Sequence, residues 1–501
     1  MSTTTTRRAR TPRRRRLLAG IAVLLTVGFG VATPLSASGR PVSELGSTPT
    51  RAGAADAVAA AAVARPNIFF YNLDDLRDAF PGAIDPLSFM PKTRAWMADG
   101  RRYTRMFVAD PSCCPSRAAM MTGRYPHNNG VQDQQDGPLF DGPHSMACYL
   151  RAAGYATYLA GKFLTSWPKT SLPPCFDRST VMWGGYRDFA VRVDGVAQRG
   201  SGYSTTYLGN RGRQYLTTAL SGTAPFLLYE APQAPHWVAI NNPDGTVSRL
   251  AVPDTAYASA AVGSCAGVPE ADRSDKPAYV RTMNHTPAQA QAMCQSQLRA
   301  IMSADDQFAA TMQLLSDRGA LDNTLVILSS DNGYMWGEHG RWEKFVPYEP
   351  SIRVPLLVRW PGHIAAGTNR SRLVSYLDLL PTMLQAAGVA LPADAPRLDG
   401  ESLLRATRRT SMYSEYYVDG ANPNIPSWRM IRTATIKYVH TYDAQGAVIA
   451  REYYDLVNDP AENTNLLGDA ATTNDPPAST LTDLATRLDA FATCAGASCV
   501  Q

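Results

Sequence analysis

The segment Cys113-Cys114-Pro115-Ser116-Arg117, running on to Thr122-Gly123-Arg124, concentrates more chemistry than any other stretch of this 501-residue chain. An apolar run ends just before it, at Phe107-Val108-Ala109. Pro-Ser-Arg followed by Ala118, Ala119, Met120 and Met121 reads as the first turns of a helix, with Pro115 near the first helical position. Cys113 is therefore expected just ahead of a helix N-terminus, where backbone N–H groups and the dipole hold anions and depress a thiol pKa. Two carboxylate-bearing segments stand beside it in importance. Asp74-Asp75 follow the apolar run Asn67 to Leu73, and Asp331-Asn332-Gly333 follow Thr324 to Ser330. Sites in open α/β sheets form beyond the carboxyl ends of parallel strands. If these two strands run parallel, three carboxylates and one amide oxygen converge on one edge. An all-oxygen anionic cluster suits a hard divalent ion such as calcium or magnesium. Each piece alone fits ordinary structural use, as a buried cysteine pair, an acidic turn or a tight Asp-Asn-Gly turn. Their joint occurrence argues for a site.

The elements that must position these residues follow from the apolar pattern. Strand-like runs at Asn67 to Leu73, Ala156 to Ala160, Phe226 to Ala231, Leu325 to Ser329 and Pro355 to Trp360 alternate with helical segments. Helices are expected near Ser145 to Ala153 and after Thr286-Pro287. Near-continuous apolar strands separated by helices predict an α/β sheet covered on both faces. Residues 241–284 are rich in Pro, Gly, Ala and Asp without clear periodicity, and read as a surface excursion that lines a substrate site. After Leu403 short aromatic strands appear at Met412 to Val418, Trp428 to Arg432, Lys437 to Tyr442 and Ala447 to Tyr454, before a helix from Leu481 to Phe491. They predict a small antiparallel sheet with a helix. The expected organisation is a signal peptide over 1–39, an Ala-rich linker over 40–64, a catalytic domain over 65–405 and a C-terminal α+β subdomain over 406–501.

The full string C-x-P-S-R-x-x-x-x-T-G resembles the signature of the sulfatase family, whose first cysteine is oxidised to formylglycine, the catalytic nucleophile. Here that residue is Cys113, and Cys114 fills the variable position. The resemblance implies an alkaline-phosphatase-like α/β fold: a large mixed, mostly parallel sheet sandwiched by helices, with a smaller C-terminal antiparallel subdomain. Asp74, Asp75, Asp331 and Asn332 match the family's four metal ligands, and formylglycine from Cys113 completes the shell around Ca2+, with Mg2+ as the alternative. Lys162, in Gly161-Lys162-Phe163, resembles a sulfate-contacting lysine, and Lys344, after Arg341-Trp342-Glu343, resembles the second. His236, in Pro235-His236, looks like the family histidine near the leaving-group oxygen, and Arg117 like the arginine that steadies the nucleophile. The implied reaction is attack of the hydrated aldehyde on sulfur, protonation of the departing alcohol by His236, and collapse to the aldehyde with loss of sulfate. Many sulfatases carry Lys-x-His at the Gly-Lys segment, whereas Lys162-Phe163-Leu164 lacks that histidine. His339 and His127 are the candidates for its role. With Tyr125-Pro126-His127-Asn128 and Ser330-Asp331-Asn332-Gly333-Tyr334, the motifs are most similar to the N-acetylglucosamine-6-sulfatase branch. A sulfate monoester on a sugar, or an aryl sulfate, is the implied substrate, and a formylglycine-generating enzyme the implied maturation partner. The alternatives are a phosphonate or phosphate-ester hydrolase on the same fold and a sulfoglycan-binding protein without catalysis.

Composition agrees with an exported protein. Seven arginines between Arg7 and Arg16 precede an apolar run from Leu17 to Val31 and small residues at Ser36, Ala37, Ser38 and Gly39. This is the order of a signal peptide, too short for a membrane span, and Arg14-Arg15-Arg16-Leu17-Leu18 fits a twin-arginine pattern. A signal anchor is the other reading. The net charge of +5 less those seven arginines leaves −2, so the mature chain offers no basis for nucleic-acid binding. No other segment reaches the length of a membrane span. Eight cysteines suit an oxidising compartment. Reserving Cys113 for chemistry leaves seven, an odd number, and Cys114 is the expected free thiol. The remaining six allow fifteen pairings. Proximity in sequence favours Cys148–Cys175, Cys265–Cys294 and Cys494–Cys499.

Overall fold

The computed structural model describes residues 65–267, 270–283, 285–407 and 409–500. The leader and linker expected over 1–39 and 40–64 lie outside the described residues. The strands in chain order are β1 (Asn67–Leu73), β2 (Arg101–Phe107), β3 (Ala156–Gly161), β4 (Arg178–Met182), β5 (Ala190–Val193), β6 (Val196–Arg199) and β7 (Phe226–Ala231). There follow a hairpin of β8 (Val238–Asn241) and β9 (Val247–Leu250), then β10 (Thr324–Ser330), and a short pair, β11 (Met335–Trp336) and β12 (Trp342–Glu343). β13 (Arg353–Arg359), β14 (Thr368–Arg370) and β15 (Val374–Ser375) complete the main sheet. Its order is β14-β2-β13-β10-β1-β7-β3-β4-β5-β6, with β15 also on β2. β10, β1, β7, β3 and β4 are parallel neighbours, while β13 and β5 run antiparallel to theirs. The sheet is thus mixed and mostly parallel.

β1 explains why both faces are covered. Ile68 and Phe70 point into one core with the helices Cys113–Thr122, Met146–Ala152 and Leu379–Ala386. Phe69, Tyr71 and Leu73 alternate to the other face, against Ser204–Ala219 and Pro287–Asp317. Phe69 stacks on Phe308 at 5.7 Å between ring centroids, and Phe70 on Tyr229 at 5.2 Å. A strand apolar at nearly every position must be buried on both sides, and β1 is. The helix Pro287–Asp317 starts where Thr286-Pro287 predicts, through a capping box with Gln289 and Pro at the first position.

The C-terminal sheet is antiparallel in the order β16 (Ser411–Tyr416), β17 (Trp428–Thr433), β18 (Ile436–Tyr442) and β19 (Val448–Asp455). Tyr413, Ile431 and Tyr438 pack on Leu484, Leu488 and Phe491 of the helix Ala478–Phe491. This sheet also braces the segment that follows β12. Trp428 donates its indole N–H to the Phe345 carbonyl at 2.8 Å, and Lys437 donates to the Pro347 carbonyl at 2.8 Å. The disulfides are Cys148–Cys175, Cys265–Cys294 and Cys494–Cys499, with Cys113 and Cys114 unpaired. Among the described residues no helix is long and apolar enough to cross a membrane.

Candidate active site

β1 and β10 pair in parallel register from Asn67↔Thr324 to Leu73↔Ser330, so Asp74-Asp75 and Asp331-Asn332 leave the sheet side by side. Their turns are pinned together. The Asp331 N–H donates to the Leu73 carbonyl at 3.1 Å, and the Leu76 N–H to Ser330 Oγ at 2.9 Å. Asp75 holds a left-handed backbone, φ 71°, a costly conformation of the kind that clusters at functional sites. Asp331 Oδ1 accepts from the Asp75 N–H at 3.3 Å, and the Asn332 amide donates to Asp75 Oδ1 at 2.7 Å.

The helix carrying the cysteine begins at Cys113 itself, with Ser112 as its N-cap, so Pro115 falls at the third helical position rather than the first. It ends at Gly123, whose φ of 64° needs glycine and accounts for the Thr-Gly close of the motif. Ser116 Oγ donates to the Asp331 carbonyl at 2.5 Å, locking the helix to the turn after β10. Arg117 is fully buried. Its Nε donates to Asp331 Oδ2 at 2.8 Å and its Nη1 to the Lys162 carbonyl at 3.0 Å, while Nη2 lies 3.6 Å from Asp74.

Lys162 reaches the site because Gly161 permits a close strand contact. A Cβ at Gly161, φ 136°, would lie 1.9 Å from the Ala231 carbonyl oxygen on β7. Lys162 Nζ donates to Asp74 Oδ2 at 2.5 Å. Lys344 follows β12 between two left-handed residues, Glu343 and Phe345. Its Nζ donates to Asp75 Oδ1, to Cys113 Sγ at 2.8 Å and to Asn332 Oδ1 at 3.2 Å. His236 lies past β7, where its Nδ1–H donates to the Trp237 carbonyl at 2.6 Å, a group that can only accept. Nε2 is therefore the nitrogen directed at the carboxylates, 3.7 Å from Asp75 Oδ2.

Charge in the site is set by burial against these pairs. Burial alone would raise the Asp74 carboxyl, but Lys162, His236 and Arg117 outweigh it and hold it well below the usual carboxylate range. Burial opposes the charge on Lys344, yet Asp75, Cys113 and Asp74 raise its pKa well above the ordinary value. The helix-terminus expectation for Cys113 does not hold. Burial, reinforced by Asp74, pushes its thiol up to about 12 despite Lys162 and Lys344, and the S–H donates to Asp74 Oδ1 at 3.4 Å. Desolvation and a neighbouring carboxylate exceed what a helix N-terminus supplies.

The donors fit a divalent cation. Asp74, Asp75, Cys113 and His236 bring ligand atoms within 4.8 Å of one another, and Asp75 Oδ2 is buried with no hydrogen-bond partner. Asp331 stands beside them, its Oδ1 3.3 Å from the Asp75 nitrogen and its Oδ2 held by Arg117, and the Asn332 side chain bonds Asp75 and Lys344. All nine residues picked from the sequence therefore meet at one place. His339 and His127 do not. His339 Nδ1 pairs with Glu270 and its ring lies on Tyr348, while His127 is held by Glu415 and the Cys494 carbonyl. Neither lines the site cavity, and among the described residues His236 is the histidine that does.

That cavity holds about 430 Å³ and has Asp74, Cys113, Lys162, His236 and Lys344 among its lining residues. The sequence points to residues 241–284 as its wall, but among the described residues of that span only Arg249 lines it. Other parts of the wall include Trp183-Gly184-Gly185 after β4, Gln233 and Trp237 beside His236, and Ala421-Asn422 of the C-terminal part.

A family model described as Sulfatase matches residues 66–389, and one described as N-sulphoglucosamine sulphohydrolase, C-terminal, matches 337–488. An N-acetylglucosamine-6-O-sulfatase of Bacteroides thetaiotaomicron is 25% identical over 477 residues, covering 81% of this chain and 83% of that protein. A solved structure in complex with its substrate D-glucosamine-2-N,6-O-disulfate superposes with a TM-score of 0.67 at 23% identity, over 85% of this chain and 97% of that one. A phosphonate monoester hydrolase from Silicibacter pomeroyi shares the fold, with a TM-score of 0.63 at 20% identity over 85% and 95% of the two chains.

Proposed function

Because the chain belongs to the sulfatase family, we propose that this sulfate-ester hydrolase cleaves sulfate monoesters of sugars, using a formylglycine made from Cys113 and a divalent cation beside it. The observation that carries the reading is the meeting of Cys113 with two carboxylates, the buried Lys344 and the half-buried Lys162 at the foot of one cavity. Formylglycine would supply a hydrated aldehyde, one hydroxyl to attack sulfur and a second to expel sulfate. Asp74, Asp75, Asp331 and Asn332 would hold Ca2+, or Mg2+, whose positive charge stabilises the developing oxyanion.

The chain's own residues supply the rest. Lys162 and Lys344 present ammonium groups to the sulfate oxygens, at a depth where such charges act with little screening. Arg117, fixed by Asp331 and the Lys162 carbonyl, keeps the first helical turn and its residue 113 in register with the carboxylates. His236, with Nδ1–H engaged, holds Nε2 for proton transfer to the departing alcohol oxygen. An unmodified thiol at 113 keeps its proton and donates a hydrogen bond to Asp74 rather than presenting a thiolate, which favours modification before function. The leader pattern over 1–39 supports export through the twin-arginine or general route, and a formylglycine-generating enzyme would act before or during it.

Matched esters test this reading. Protein coexpressed with a maturation enzyme should give a far higher kcat/KM for an aryl or sugar sulfate than for the phosphate of the same leaving group. The inner cations suit a sulfate monoanion better than a phosphate dianion. A preference for the phosphate or phosphonate ester would transfer the chain to that chemistry and leave the fold unchanged.

A further inference from the structure

The cavity carries one more cation, on its outer wall, that the chemistry at its foot does not use. Among the lining residues the lysines and arginines are Lys162, Lys344 and Arg249. The first two are committed to Asp74 and Asp75. Arg249 belongs to β9, opposite Ala239 of β8, in the hairpin that follows His236 and Trp237. Its guanidinium stands 4.9 Å from the centre of the Trp237 ring, and Nη1 donates to Glu343 Oε1 at 2.5 Å. Glu343 precedes Lys344, so the pair joins the hairpin wall to the segment bearing the inner lysine.

The Arg249 side chain is 48% exposed and that of Glu343 13%. An ion pair this open to water on the arginine side is only weakly stabilising. An entering oxyanion can share or displace the Glu343 contact at small cost. A guanidinium offers two parallel N–H bonds to sulfate or carboxylate, which a lysine cannot, and the Trp237 face keeps its plane fixed. Trp237 also gives a sugar ring an apolar surface beside His236.

We propose that Arg249 is a specificity-determining residue that binds a second anionic group, sulfate or carboxylate, on the sugar substrate whose sulfate ester is cleaved at Cys113. This rests on the sulfatase reading above. The test compares kcat/KM on three esters: glucosamine 6-sulfate, glucosamine 2-N,6-O-disulfate, and a disaccharide joining glucosamine 6-sulfate to a uronic acid. Formylglycine-bearing wild-type protein should favour the disulfate or the uronate by about tenfold, the scale of one charge-assisted contact at a partly wet site. The preferred arm identifies sulfate or carboxylate. Arg249→Ala should erase the preference while Arg249→Lys keeps part of it, because charge remains and the planar fork is lost. Absence of preference in wild type, or an equal fall on all three esters in Arg249→Ala, overturns the proposal. No turnover of any ester by the matured protein overturns the sulfatase reading, and the role of Arg249 with it.

Discussion

Glu230 lies in β7, the strand that leads to His236, with its side chain fully buried and neither carboxylate oxygen hydrogen-bonded. Burial pushes its pKa up to about 8, which the charge of Arg213 only partly offsets. The unfolded chain titrates there near 4.5. Between these values the folded protein keeps a proton that the unfolded chain releases. The stability linked to this proton is fully present below about 4.5 and is lost as pH rises through about 8. At about 1.4 kcal/mol per pH unit, that gap sets an upper value of about 5 kcal/mol. Glu230→Gln keeps the shape and removes the titration. Urea unfolding of the two proteins across this pH range should give similar midpoints at about pH 4.5 and a widening advantage for the variant, reaching about 3 kcal/mol at neutral pH. Stability curves that stay parallel from acid to neutral pH would refute the reasoning, because they would mean that Glu230 is as well solvated in the fold as outside it.

Three further outcomes follow from the geometry. Gly161→Ala places a Cβ 1.9 Å from the Ala231 carbonyl oxygen, so it should cost about 3 kcal/mol or more of stability and lower kcat by moving Lys162, as denaturation and steady-state assays would reveal. Cys113→Ala should abolish turnover with little change in unfolding midpoint, whereas Cys114→Ala should keep turnover and lose about 1 kcal/mol, being buried against apolar neighbours. Calcium at a hundredfold excess over its Kd should stabilise chelator-treated protein by about 2.7 kcal/mol, and Asp75→Asn should lose most of that gain in a thermal shift assay.

The sheet was legible because β1, β7 and β10 are apolar at nearly every position, a pattern that fixes burial on both faces and places the turns after them. Asp74, Asp75, Asp331 and Asn332 were found for the same reason. β2 carries Arg101, Arg102 and Arg105 among its apolar residues, so its pattern did not stand out as a buried strand. The cavity wall was also hidden. Trp183 and Gly184-Gly185 lie in a turn whose position depends on how β4 pairs with β3, a register that local sequence does not state. The Cys113 pKa failed as an expectation because local helix position cannot report burial or the approach of Asp74 from another strand. His339 and His127 drew attention only as histidines, and packing against Tyr348 and Glu415 removes them from the chemistry.

The most direct test of the account is the chemical state of residue 113 in protein that is turning over a sulfate ester. The peptide containing position 113 should react with an aldehyde-specific hydrazide and resist thiol alkylation, and the fraction so labelled should rise in proportion to specific activity across preparations. Active protein whose position 113 is wholly an alkylatable cysteine would contradict the account.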